Sequence, residues 1–159
     1  MQDQLLYKTQ WTIRKYLNDD AFRCNQPYAE HRIAGNLLLN EGITALQNLL
    51  TGAAETAFDN TNAYIGVGDD NTAESASQTG LLGTNKVYLG MKSGYPSLAG
   101  QTTTWRAVAD GATANFDWNE FTVANGNSDA ADNLNRKVSA QGTKTSGQTW
   151  TVDLEITWS

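Results

Sequence analysis

Two carboxylates three positions apart, Asp117 and Glu120, stand among large aromatics in the stretch "ANFDWNEFTVANG", residues 114–126. An acid pair in an aromatic cleft is the equipment of a glycosidase, provided the carboxyls converge across a sugar at about 5–9.5 Å. Phe116 and Trp118 share one strand parity and Phe121 and Val123 the other, so one continuous strand cannot bury all four on a single face. Either a bulge sits near Asn119 and Glu120, or both faces are covered there. A bulge would turn Glu120 outward or toward a neighbouring loop, where a carboxylate can accept backbone N–H bonds. Asp117 points opposite to its aromatic neighbours, into solvent. The pattern favours a charged piece of sheet over a catalytic pair.

The rest of the reactive inventory is short. His31 is the only histidine, so there is no HExxH pair and no histidine-rich metal cluster; a loop position near the helix is expected for it. Nothing matches a nucleophile elbow, a P-loop or a dinucleotide fingerprint. The loop "GVGDDNT" gathers Asp69, Asp70 and Asn71, weak candidates for calcium. It lacks the internal glycine and distal glutamate of an EF-hand, and an Asx-rich turn is the simpler reading. Trp11, Trp105, Trp118, Trp150 and Trp158 would form a sugar platform only if several were exposed, and at strand spacing a core position is expected. Cys24 is the sole cysteine, which forbids an intrachain disulfide and suggests a buried or half-buried thiol. Neither an enzymatic activity nor a cofactor is expected.

These residues must be positioned by one domain's worth of chain, 159 residues. Low charge with much Thr, Asn, Ala and Gly suits strands joined by many turns. No apolar run approaches the roughly 18 residues of a membrane span, and "MQDQLLYKTQ" lacks the basic-then-apolar order of a signal peptide, so a soluble chain with no membrane partner is expected. Net charge is −6, with five basic and five acidic residues over 1–50 but six basic and twelve acidic over 51–159. An acidic body repels phosphate, which argues against nucleic acid as a partner.

The periodicities predict a mainly β protein, an antiparallel β-sandwich or jelly-roll-like domain with one α-helix. Leu5, Tyr7, Trp11 and Ile13 alternate with Lys8, Gln10, Thr12 and Arg14, a half-buried first strand. "LNDDAFRCNQPYAEHRIAG" has no period and reads as an extended arm or loop, so residues 1–33 form a strand-and-arm segment ahead of a single domain at 34–159. A helix is predicted over about 37–51, with Leu39, Ile43, Leu46 and Leu50 in one stripe, Leu38, Ala45 and Leu49 beside it, Asn36 or Asn40 as cap and Gly52 as left-handed stop. "AYIGVG" is a short strand whose glycines imply close approach of another backbone. "NKVYLGMKSGYPSLAGQTTTWRAVA" reads as a hairpin-like pair, and "DG" at 110–111 and "NG" at 125–126 as turns. The clearest strand is the last, where Trp150, Val152, Leu154, Ile156 and Trp158 alternate with polar residues. If that strand lay at an edge, it would invite pairing with another subunit.

In this order, "GNLLLNEGITALQNLL", "AYIGVGD", "SGYPSLAGQTTTWRA", "ANFDWNEFTVANG" and "LNRKVSAQGTKTSGQTWTVDLEITWS" resemble blocks of small structural proteins of tailed bacteriophages. The resemblance covers roughly residues 34–159 and implies a virion component made in the host cytoplasm. More loosely, the chain is similar to the tail-collar fibre group. Together with small size and an empty catalytic inventory, this implies a capsid decoration or cement protein on the outer surface of the head. Its partner would be the major capsid protein, and its homo-oligomer a trimer at three-fold positions. The alternative is a tail collar, adaptor or fibre-attachment protein. In either case the N-terminal segment supplies the anchor types that dominate interface energy, Trp11, Arg14, Tyr16, Phe22, Arg23 and Tyr28.

Overall fold

The computed structural model describes residues 6–159, so Leu5 lies outside the described residues. Two antiparallel five-stranded sheets pack as a mainly β sandwich. The elements run β1 (Tyr7–Tyr16), α1 (Asp19–Arg23), β2 (Ala29–Ala34), β3 (Leu37–Leu38), α2 (Asn40–Thr51), β4 (Tyr64–Gly68), β5 (Lys86–Gly90), β6 (Ser97–Ala99), β7 (Thr102–Ala109), β8 (Glu120–Ala124), β9 (Asn135–Val138) and β10 (Thr149–Trp158). The first sheet has the order β2-β1-β10-β7-β6 and the second β3-β9-β8-β4-β5.

The alternation of β1 and β10 does what it predicts. Trp11 and Ile13 of β1 and Trp150, Val152, Leu154 and Ile156 of β10 enter the core, opposite Ile65, Val67, Phe121 and Val123 of the second sheet. Trp11 meets Phe121 across the sandwich at 5.6 Å between ring centroids, and Trp118 stands edge-on to Trp150 at 5.1 Å, arrangements that suit aromatic quadrupoles. β10 is an inner strand, paired on one side with β1 and on the other with β7. Its backbone therefore offers no free edge, and no subunit pairing follows from it.

The N-terminal segment is not an arm. β1 pairs with β2 over Gln10–Lys15 as well as with β10, so residues 29–34 extend the first sheet and no domain boundary falls at residue 33. Between them the stretch 18–23 folds into the short α1. Asn18 caps it by accepting from the Ala21 N–H (2.8 Å), Asp19 and Asp20 sit in its first turn and Arg23 in its last, the charge order that a helix dipole favours. The expected hairpin between β5 and β7 is likewise absent. β5 pairs with β4 in the second sheet, and the chain then crosses to the first, where β6 and β7 form the hairpin; one bridge, Met91 to Ala107, joins the two sheets at that corner.

Helix α2 ends at Gly52 in the left-handed region (φ 73°), as predicted, but Leu39 occupies its N-cap and neither Asn36 nor Asn40 caps it. Its buried face matches the predicted stripe only at Leu39 and Leu46. Gly42 and Ala45 are buried, whereas Ile43 is 41% and Leu50 87% exposed. The physical reason is close approach, since a Cβ on Gly42 would overlap the Leu134 carbonyl oxygen and lie 2.5 Å from the Leu134 Cα. Small residues bring the helix against that backbone; Leu39 stays fully buried and Leu46 packs against the core, while Ile43, Leu49 and Leu50 are turned outward.

This contact yields an expectation of opposite sign to helix propensity. Alanine for an interior helical glycine gains about 1 kcal/mol in propensity, but overpacking against rigid backbone costs about 1–3 kcal/mol. Gly42→Ala is expected to lower the thermal midpoint. A raised midpoint would show that α2 does not rest on Leu134.

The glycines of β4 are explained by side chains and not by a backbone. A Cβ at Gly68 would collide with the Glu120 carboxylate, and one at Gly66 would lie 2.7–2.9 Å from Thr122, Leu81 and Tyr88 side-chain atoms. They clear space for what covers the outer face of β8.

Candidate functional site

The acid pair does not converge. Every residue of β8 is buried, so both faces of the strand are covered, and the parity changes across Trp118–Asn119, ahead of the strand. Phe121 and Val123 face the sandwich, and Glu120 and Thr122 lie under the 69–84 loop. Glu120 is fully buried and accepts from the Leu82 N–H (3.1 Å), the Gly83 N–H (2.7 Å) and the Arg136 guanidinium (2.9 Å from Nε, 2.7 Å from Nη2). Arg136, also fully buried, then donates to the Thr72 carbonyl (2.8 Å), Gln78 Oε1 (3.0 Å) and Asp70 Oδ1 (3.2 Å). This pair ties the loop to the sheet. Asp117 is exposed and accepts from the Thr143 hydroxyl.

The Asp69–Asn71 loop is organised in the same way. Asp69 accepts from the Asn85 N–H (3.1 Å) and amide (2.6 Å), Asp70 accepts from the Thr72 N–H (2.7 Å) as well as from Arg136, and Asn71 is exposed. A guanidinium already occupies part of the Asp70 carboxylate. Among the described residues no group of three or more His, Cys, Asp or Glu side chains is placed to hold a metal ion. Trp11, Trp105, Trp118 and Trp150 are core residues and make no platform. His31 lies on β2 instead of in a loop, with Nδ1 2.8 Å from Gln141 Oε1. Cys24 is exposed, because it caps the end of α1, which buries none of its residues.

Of the six side chains expected at an interface, four converge. Arg14, Tyr16, Phe22 and Arg23 line a cleft of about 540 Å³ together with Asn25, Lys92, Arg106 and Thr151. Its floor is the outer face of the first sheet. Arg14 on β1 stands opposite Thr151 on β10, and Arg106 on β7 stands opposite Asp153 on β10. The end wall is α1, where Phe22 meets Tyr16 edge-on at 5.3 Å and the Tyr16 hydroxyl donates to Asn25 Oδ1 (3.2 Å). The side wall is Lys92, whose N–H donates to the Arg106 carbonyl (2.8 Å).

The electrostatics of the cleft centre on Asp153, only 2% exposed. It accepts from Arg14 Nη1 (2.9 Å) and from both Nε (2.6 Å) and Nη2 of Arg106. The hydrogen bonds from Arg106 to Asp153 raise the arginine's pKa further, so that guanidinium remains charged. Arg106 also lies 4.7 Å over the Tyr95 ring and Lys92 Nζ 5.4 Å over Phe22, geometries of cation–π attraction.

The other two expected anchors are elsewhere. Trp11 is fully buried in the core, since its parity on β1 points inward, and Tyr28 is 48% exposed outside the cleft. Sequence reading missed Lys92, Arg106, Thr151 and Asp153. Arg106 and Asp153 carried a usable signal, a charged residue at outward parity beside a buried Trp105 or Leu154. Their convergence on Arg14, 139 positions from Asp153 in the chain, carried none. Comparison with family models, with curated proteins and with solved structures gave no match to this chain.

Proposed function

We propose that this chain is a non-enzymatic virion structural protein of a tailed bacteriophage, of the decoration or cement type, which attaches to the major capsid protein through the outer face of its first sheet. The observation that carries the reading is the convergence of Arg14, Tyr16, Phe22 and Arg23 on one cleft. Arginine and aromatic residues held rigidly side by side are the composition of an interface hot spot. The ordered sequence blocks over residues 34–159 supply the phage and virion part of the reading. Glu120 and Arg136 support the non-enzymatic part, since the carboxylate best placed for chemistry is consumed by the loop it holds. Many copies on a lattice make individually weak contacts effective through multivalency. A trimer at three-fold positions belongs to this reading on the strength of the resemblance alone.

Counting this chain against the major capsid protein in purified particles tests the proposal. Comparable copy numbers, or one copy per few capsid subunits, are the expected result. A handful of copies per particle would move the protein to a tail collar or fibre-attachment role, and its absence from purified particles would overturn the virion assignment.

A further inference from the structure

We infer that the cleft between α1 and the outer face of the first sheet is a carboxylate receptor, in which Thr151, Lys92, Arg14 and Arg106 bind an Asp or Glu side chain from an acidic segment of a partner protein. The identity of that partner as a capsid subunit rests on the proposed function; the chemistry of the cleft does not.

Three observations lead to it. The Thr151 hydroxyl is buried and has no hydrogen-bond partner among the described residues, and its residue, 4% exposed, lines the cleft. Such a hydroxyl is destabilising unless something entering the cleft accepts from it. The cations around it also have unused donors. Arg14 uses Nε and Nη1 on Glu30 and Asp153, and Arg106 uses Nε and Nη2 on Asp153, which leaves Arg14 Nη2 and Arg106 Nη1 without an acceptor among the described residues. Lys92 Nζ has the Phe22 ring but no carboxylate among the described residues.

Charge then selects an anion. Arg14, Arg23, Lys92 and Arg106 bring four positive charges against Asp153 and Asp20, while Glu30 is shared between Arg14 and Arg32, so positive charge is in excess around the cleft. That excess attracts an anion, and the aromatic wall of Tyr16 and Phe22 favours one carried on a peptide segment over free phosphate. Ionised carboxylates are acceptors only, which suits a lining made of donors. The volume, about 540 Å³, admits an acidic side chain with its neighbours, and Tyr16 and Phe22 give those neighbours an apolar wall.

The test is a titration of the ¹⁵N-labelled full chain with blocked tetraglutamate, blocked tetraglutamine and inorganic phosphate in turn. Tetraglutamate is expected to shift the amide signals of Thr151 and Lys92 and the Arg106 Nε–H signal in a dose-dependent way, and tetraglutamine is not. Lys92→Glu and the near-isosteric Thr151→Val should each weaken that binding about tenfold or more while the dispersed spectrum of the folded chain is kept. Equal shifts with tetraglutamine, phosphate binding in place of the peptide, or unchanged affinity in both variants would overturn the receptor. No particle enters this experiment. A carboxylate bound in the cleft of a protein missing from virions would remove the virion assignment alone. Attachment to particles that survives Lys92→Glu, with no peptide bound, would remove the cleft alone.

Discussion

Replacing Arg136 by alanine is expected to lower the unfolding free energy by about 3–5 kcal/mol, the cost of leaving a buried charge without its partner. Glu120 would keep the Leu82 and Gly83 N–H groups but lose the cation that neutralises it, in a place with no solvent access. The Thr72 carbonyl, Gln78 and Asp70 would lose their donor in the same step, so the damage should concentrate in the 69–84 loop. Urea unfolding measures the total, and amide hydrogen exchange at Leu82 and Gly83 measures the loop. The double variant Glu120→Leu with Arg136→Met tests the cause. It abandons the same backbone groups without stranding a charge, so its cost should fall below the sum of the two single replacements. A loss under about 1 kcal/mol for Arg136→Ala would mean that the pair is hydrated and does not hold the loop.

Removing residues 1–16 is expected to abolish cooperative folding. β1 is an inner strand, and its loss would expose the ladders of both β2 and β10. It also removes Trp11 and Ile13, both fully buried. Truncating one Trp and one Ile in a core costs together about 5–10 kcal/mol, as much as the whole stability of many domains, about 5–15 kcal/mol. Near-UV circular dichroism and a thermal melt read the result directly, and a cooperative transition in the truncated chain would show that β1 is dispensable. Deletion of this segment is therefore no test of attachment. Point changes on its outward face, such as Arg14 or α1 residues beyond the core, are the variants that separate binding from folding.

Much of the architecture was legible from local signals. Faultless alternation from Trp150 to Trp158 identified an inward and an outward face, and the left-handed glycine at position 52 marked the end of α2. Errors arose where a local signal competed with a distant one. In the leucine stripe of α2, Leu39 and Leu46 face the core but Ile43 and Leu50 do not, because Gly42 meets the Leu134 backbone, which lies far along the chain. The stretch 18–34 looked like an arm because its helix is one and a half turns and its strand carries charges on an edge. A cap signal was nevertheless present, Asn18 followed by Asp19 and Asp20 and then Arg23.

What the sequence determined by itself is the class of fold, the inward side of the long strands and the residue types available for recognition, because each depends on spacing within a few positions of chain. Tertiary structure decided what those residues do. Glu120 became a tether because Arg136 and the 82–83 amides reach it, Trp11 became core because its parity faces Phe121, and Arg14 became part of a cleft because β10 and β7 bring Thr151, Asp153 and Arg106 beside it. Charges and hydrogen bonds act over a few ångströms of space, and only the pairing of distant strands sets which groups share that space.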